Sequence, residues 1–581
     1  MNSRKDLIYF FRKYVYKQMW KIVLLLILVF IGVGISNLLP YIYGIVIDKI
    51  TDKQIEGLEA VMFLYLAVAL LATFLSTVES VFGEFLSWLL TGKMKMKLLE
   101  KMVYLRCKEL DDFNEGELMS RLEGDVGTIV EFYLDLFTSI LTIVFNLVIS
   151  LIFIFKMSYV LAGVTLLTVP LSVMSNNFFR KKYRILQEKA KEYSDRVSTF
   201  EVELFHNLYG IKAYCQEEQK IKEYQNFVKE QWFFSRWQGV LSGKAQVVNT
   251  LISMSGTLIL LYLSAHMIVA GIFTLGGMVS FMAYVSRLST AVSEFLSLNM
   301  ASEGVMVCMK RIRELDEKED EMELYPREQV FHDKWTELKV QDVSFSYKKE
   351  QNHVLHHFSL AINKVGYYSI VGRNGCGKSS FLKLLMKYYE YSGTIKLGNQ
   401  NLEDVGREEL RKHIAYIPKE PYLLNQSILE NIRLMKPDAG EVEVRKAAQM
   451  VGIEEFIESL PEKYETVIGE SGKLLSSGQK QKLSVARASL CEPDIYLFDE
   501  VTSDLDGASE VEMVHLMRKL AKDKIIIHVT HRIFATESSD KIFLIDQGKI
   551  AESGTHEEML KKSKVYAEIF QEQQAERGVA S

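Results

Sequence analysis

At 581 residues the chain exceeds one ordinary domain of about 100–200 residues. Its 69 Lys+Arg against 74 Asp+Glu leave a net charge of −5, which argues against a protein that coats itself with nucleic acid, whose binding domain is strongly basic. The five cysteines (107, 215, 308, 376 and 491) are scattered with no CxxC spacing; they indicate neither a zinc site nor a disulfide framework and suit a reduced, cytosol-facing protein.

In chain order, residues 1–21 place Tyr9, Phe10, Phe11, Tyr14 and Trp20 among basic residues. That mixture suits a helix lying on the inner membrane surface, with a solvated linker as the alternative. Residues 22–47 are apolar over a length that crosses a hydrocarbon core, for which about 20 helical residues suffice. The run is too long for a signal peptide and no small-residue cleavage pattern follows it. Further apolar stretches near 57–90, 131–155, 158–178, 245–272 and 276–300 bring the expected spans to six.

The connections alternate in charge. Arg4, Lys5, Arg12, Lys13, Lys17 and Lys21 precede the first span, and Lys93, Lys95, Lys97, Lys101, Arg106, Lys108 and Arg121 separate the second from the third. Arg180, Lys181, Lys182 and Arg184 open the connection after the fourth, whereas the other connections are short. Positive charge gathers on the cytoplasmic side, so both termini are expected there. The two long inner connections, roughly 91–130 and 179–244, lack Pro and carry helical periodicity, and are expected to extend the helices into the cytosol. The spans also carry Glu79, Glu84, Asp135, Asn146, Asn249, Arg287 and Glu294. Ionisable groups at this depth face the bundle interior; Arg287 and Glu294, seven apart, share a helix face and either pair or meet other partners.

Residues 1–310 are therefore read as a membrane domain, 311–335 as a charged linker, and 336–581, where strand and helix patterns alternate, as a parallel α/β domain. There, Gly372-Arg373-Asn374-Gly375-Cys376-Gly377-Lys378-Ser379 fits GxxxxGK[ST], between the strand YYSIV and a helical SSFLKLLMKYY. Glycines let successive N–H groups turn inward around phosphate, and the helix N-terminus adds positive potential. Gly372, Asn374, Gly375, Cys376, Gly377, Lys378, Ser379 and Ser380 are thus candidates for holding a nucleotide. Lys378 would reach the β- and γ-phosphates and Ser379 would ligate Mg²⁺. IYLFDE (495–500) is an apolar strand ending in two acids: Asp499 would hold the same Mg²⁺, and Glu500 would polarise the attacking water. His531, after the strand KIIIHVT, could donate to the γ-phosphate.

This ordered set over nearly the whole chain resembles the ABC transporter family, in its exporter-type half-transporter form. The resemblance implies that Tyr347 in VSFSY stacks on adenine, that 372–379 is Walker A and 495–500 Walker B with its catalytic glutamate, and that His531 is the switch histidine. SDLD (503–506) matches the D-loop and TVIGESG (466–472) the loop before the signature. DDFNEGELMSRLEGDV (111–126) and NLYGIKAY (207–214, within a wider region 203–215) look like the two coupling-helix regions. ATP and Mg²⁺ are the implied cofactors; lipid, a transported molecule and a second half-transporter are the implied partners.

Two positions depart from the family pattern. The signature, Leu475-Ser476-Ser477-Gly478-Gln479, has Ser477 where the family has Gly, at a segment that the resemblance places against the γ-phosphate held by the opposite domain; it implies that Ser476, Gly478 and Gln479 help bind that nucleotide. In IPKEPYLL, Lys419 replaces a Gln that touches Mg²⁺ or the attacking water. An ammonium has three donors and no acceptor and cannot ligate a metal, so Lys419 either points at a phosphate oxygen or swings away. Sound Walker residues beside an altered signature suggest a heterodimer with asymmetric sites, with a homodimer as the alternative. The transported molecule is expected to be a small amphiphile or drug; a lipid or peptide exporter, and a sensor that transports little, are the alternatives.

Overall fold

The computed structural model describes residues 8–321, 334–348 and 353–576. Arg4, Lys5 and residues 322–333 of the expected linker lie outside the described residues, as do the side chains of Arg180, Lys181 and Arg184. The chain divides into two compact units, Met1–Glu100 with Glu115–Glu317, and Lys101–Asn114 with Lys318–Ser581.

The first unit consists of long helices. Met19–Ser36 and Leu39–Thr51 are parted only at residues 37 and 38, and Pro40 lies in the first turn of the second, where its missing N–H breaks no hydrogen bond. Leu58–Val103, Val126–Met157, Tyr159–His206, Glu217–Val269 and Leu275–Asp316 follow. Among the described residues, four helices are long and apolar enough to cross a membrane: Ile8–Thr51, Leu58–Val103, Gly116–Met157 and Glu217–Val269. The stretch expected at 158–178 forms the apolar part, Tyr159–Ser175, of the helix Tyr159–His206. The one expected at 276–300 lies in Leu275–Asp316, which continues helically through residues 311–316 where a linker was expected.

Polar joints fix these helices. Buried Asn37 donates to Val33 O at 2.8 Å and to Asn146 Oδ1 at 2.9 Å. Arg287, expected to share a face with Glu294, directs its guanidinium to Ser36, meeting Oγ at 3.0 Å and the carbonyl at 2.9 Å. Ser36 ends a helix, and carbonyls without helical partners there attract a cation. The N-terminal segment packs one side against the chain while Ile8, Tyr16 and Trp20 stay exposed. Phe10 is fully buried, and Lys13, Tyr9 and Tyr14 converge on the Asp316 carboxylate at 2.8–3.2 Å. Burying that carboxylate requires partners, and the N-terminal residues supply them.

The second unit carries two sheets. β1 (Leu338–Phe345), β2 (Leu355–Ile362), β4 (Ser392–Leu397) and β5 (Gln400–Asn401) form an antiparallel sheet in the order β2-β1-β4-β5. β3 (Gly366–Val371), β6 (Ile414–Ile417), β7 (Ile495–Asp499), β8 (Ile525–Val529), β9 (Lys541–Asp546) and β10 (Lys549–Gly554) form the other, in the order β10-β9-β3-β8-β7-β6. Its strands β3, β6, β7, β8 and β9 pair in parallel. Every residue of β3, β7 and β8 is buried, as expected for strands covered on both faces. Ile370 and Asp499 both pair with Val529 of β8, so the loops after β3 and β7 leave the sheet side by side. In open parallel sheets, ligands bind outside these carboxyl ends. Residues 101–114 pack within this unit: Arg106 pairs with Glu319 at 2.6 Å and Glu390 at 3.0 Å, and Tyr389 donates to Asp111 at 2.5 Å.

Candidate nucleotide site

Fully buried β3 delivers the chain into the loop 372–377. A Cβ on Gly372 would stand 2.4 Å from Ile545 O and 2.7 Å from Cys376 Sγ, so only glycine fits. Gly377 has φ +101°, and a side chain there would strike Leu355 at 2.7 Å. The helix Lys378–Leu385 starts directly after it, aiming unpaired N–H groups into the loop. The buried Lys378 ammonium donates to the carbonyls of Gly372 at 2.8 Å and Arg373 at 3.0 Å. Asn374 and Gly375 are exposed, and Cys376 is half-buried, with burial pushing its thiol pKa up.

Ser379 Oγ donates to Asp499 Oδ1 at 2.7 Å, and Tyr416 OH donates to Asp499 Oδ2 at 2.8 Å. Burial, and then the Asp499 charge, push the Tyr416 phenol well above its usual range, so it stays a donor. Next along, Glu500 adopts φ +50°, and its N–H donates to Val529 O at 2.8 Å. His531 Nδ1 stands 3.5 Å from Glu500 Oε1. Gln573 steadies the histidine segment, donating to His531 O at 2.5 Å and accepting from Ile533 N at 2.8 Å. Tyr347 lies beside the first turn of the loop helix, its OH 3.0 Å from Ser380 Oγ and its ring edge-on to Phe345 and Tyr389.

The signature residues make their contacts elsewhere. Ser476 caps the helix Ser477–Ser489: its Oγ accepts from Gln479 N at 3.3 Å, and Gln479 Oε1 accepts from Ser476 N at 2.9 Å, a reciprocal capping box. Gly478 closes against Ser509, where a Cβ would lie 3.0 Å from the hydroxyl. Ser477 Oγ donates to Asp504 O at 2.9 Å. The Lys419 carbonyl accepts from Gln481 at 2.6 Å, and its ammonium swings to within 3.9 Å of Asp504 Oδ1.

Lys378, Ser379, Asp499, Glu500 and His531 thus gather at the carboxyl ends of β3, β7 and β8, whereas Ser476, Ser477, Gly478 and Gln479 pack toward the segment after β7. Sequence reasoning missed Tyr416, Gln481 and Gln573, and it read Asp504 only as part of a motif. Tyr416 offered a faint signal, a lone hydroxyl in the apolar run IAYI.

The arrangement can cradle a polyphosphate, hold a divalent cation between a hydroxyl and a carboxylate, and set a glutamate beside it to act on water. Two family descriptions match the chain: the ABC transporter transmembrane region over residues 22–292 and the ABC transporter domain over residues 355–503. A putative export ATP-binding/permease protein of Rickettsia bellii is 27% identical over 557 residues, covering 94% of each chain. The putative multidrug export ATP-binding/permease protein YgaD of Bacillus subtilis is 28% identical over 489 residues, covering 82% of each. In fold, the chain is similar to a bacterial Atm1-family ABC exporter solved with ATP bound, at TM-score 0.80 and 23% identity, over 97% of this chain and 99% of that one. The chain belongs to the ABC transporter family as an exporter-type half-transporter, a multi-pass protein of the cytoplasmic membrane in which one membrane-spanning region is fused to one ATP-hydrolysing domain.

Proposed function

We propose that this half-transporter exports a small cationic amphiphile, and that it works as one subunit of a heterodimer with unequal ATP sites. The observation that carries the reading is a hydrogen-bonded Ser379–Asp499 pair, with His531 3.5 Å from Glu500, in the same chain as a signature altered at Ser477. In this reading residues 1–310 are the membrane domain, 336–581 the ATPase, and 111–126 and 203–215 the coupling regions.

The oxygen donors of Ser379 and Asp499 suit Mg²⁺, which is commonly held by one or two carboxylates plus substrate phosphates. Bound there, Mg²⁺ offsets charge on the β- and γ-phosphates. The loop N–H groups and Lys378 hold the phosphates, and Tyr347 supports the adenine. Glu500 takes the proton of the attacking water, while His531 steadies the γ-phosphate. The partner's signature completes this site, and Ser476, Gly478 and Gln479 face the partner's own nucleotide. ATP drives the cycle because it binds the closed pair better than the open one.

Support for the cargo comes from a cavity of about 320 Å³ lined by Glu79, Glu84, Glu131 and Asp135 together with Leu25 and Leu134. Ser80, Ser87 and Thr138 complete the lining; four carboxylates suit a cation, and the two leucines leave room for a small apolar part. The multidrug export named for the Bacillus subtilis relative is in keeping with such a cargo.

The test is ATP-driven uptake of a lipophilic cation into inside-out vesicles holding the complex purified from its native membrane. Glu500→Gln is expected to lower uptake at least about 100-fold, the scale of a lost general base. Glu79→Gln with Asp135→Asn is expected to reduce uptake of the cation but not of a neutral analogue. Undiminished uptake in Glu500→Gln rejects transport driven through this site, and equal loss for both cargoes rejects the cationic preference.

A further inference from the structure

Lys419 lies two residues beyond β6, and the register Ile417 to Phe498 brings it level with the acidic end of β7. A cation at that place is attracted to phosphate oxygens, the same oxygens a divalent ion needs. The structure directs it elsewhere, to Asp504 Oδ1 at 3.9 Å. Asp504 itself is held at several points. Its carbonyl accepts from Ser477 Oγ at 2.9 Å. The preceding carbonyl, of Ser503, accepts from Arg532 Nη2 at 2.5 Å. Asp506 caps the following helix Gly507–Leu520, accepting from Ser509 N at 2.8 Å. Backbone contacts therefore fix the segment while the Asp504 carboxylate faces Lys419, so both residues that depart from the family pattern meet at one aspartate.

We propose that Asp504 is a positioning residue that draws the Lys419 ammonium away from the phosphate oxygens and keeps the place between Ser379 and Asp499 clear of a competing cation. The inference rests on the reading of Ser379 and Asp499 as metal ligands. Lys419 and Asp504 are both largely solvent-exposed, at 46% and 62%. An exposed pair shifts a population by no more than about fivefold, which sets the size of the effect.

The test is equilibrium binding of ATP to the full-length transporter in detergent, with EDTA and then with excess Mg²⁺. Asp504→Asn is expected to bind metal-free ATP about two- to fivefold more tightly than the wild type, because Lys419 is released to the phosphates. The gain is expected to shrink as salt is raised, and the Mg²⁺ needed for half-maximal turnover is expected to rise by a similar factor. In the Lys419→Gln, Asp504→Asn double variant the gain should vanish, and a return to wild-type affinity also shows that the variant is folded. Unchanged metal-free affinity in Asp504→Asn, or a gain that survives in the double variant, overturns the proposal. The metal reading fails separately: Asp499→Asn would then leave the Mg²⁺ dependence of turnover unaltered, whereas the EDTA titration reports on Lys419 and Asp504 alone.

Discussion

Asp499 uses its two carboxylate oxygens differently: one faces Ser379 and the loop, and the other accepts from Tyr416. The tyrosine fixes the plane of the carboxylate, and so the direction in which its free lone pairs point. Removing such a support behind a metal ligand commonly weakens metal binding by about tenfold or more. Tyr416→Phe is therefore expected to raise the half-saturating Mg²⁺ for ATP turnover about tenfold while leaving ATP binding in EDTA as it was. A Mg²⁺ titration of turnover checks this, and an unmoved midpoint would reduce Tyr416 to packing. The residues that a reader of the sequence could name here, Lys378, Ser379, Asp499 and Glu500, owe their chemistry to local spacing on a strand or a turn. Tyr416 could not be named in the same way, because its contact with Asp499 spans 83 positions and exists only once β6 and β7 pair in register. Lys419 was legible as an anomaly but its partner was not, for the same reason.

Elements were legible where one pattern governs them. The apolar strands β3, β7 and β8 fall where short continuous apolar runs put them, and the loop helix falls where the glycine spacing does. The contacts of Tyr9, Lys13 and Tyr14 with Asp316 were not legible, since that carboxylate lies more than 300 residues away. Within β8, His528 shows what an element imposes on one side chain. Tyr367 OH gives its proton to Ala535 O at 2.9 Å and so accepts from His528 Nδ1, also at 2.9 Å, which places a ring proton on Nδ1. Full burial lowers the pKa of the imidazole from 6.5 to about 3. Because the unfolded chain binds a proton there below about pH 6.5 and the folded chain does not, the stabilisation is complete above that pH. It is lost as pH falls toward 3, by about 1.4 kcal/mol per pH unit. Hydrogen exchange of the β8 amides in the full chain, corrected for intrinsic rates, is expected to show protection falling by about 2 kcal/mol between pH 7 and pH 5. His528→Gln should abolish that fall, and a fall of equal size in the variant would assign it to other groups.

For the whole molecule, the decisive fact is that one chain supplies one phosphate loop and one signature, on different parts of the ATPase unit. The loop set keeps the residues proposed for hydrolysis, whereas the proposed signature carries a side chain where the family has none. Ser477 is exposed, and its hydroxyl donates to Asp504 O at 2.9 Å, so the added atoms stand on the surface that the opposite domain would approach. In a heterodimer Ser477 faces only the partner's nucleotide, and the site containing Glu500 uses the partner's signature. Ser477→Gly would then open the approach at the slower site alone, and total ATP turnover is expected to change less than about twofold. In a homodimer the same substitution acts on both sites at once, and turnover should rise severalfold as a glycine restores close backbone approach. The complex taken gently from its native membrane should correspondingly contain a second, different ABC chain in equal amount. Finding this chain alone, together with a severalfold gain in Ser477→Gly, would replace the unequal pair with a symmetric one in which Lys419 and Ser477 both sit at working sites.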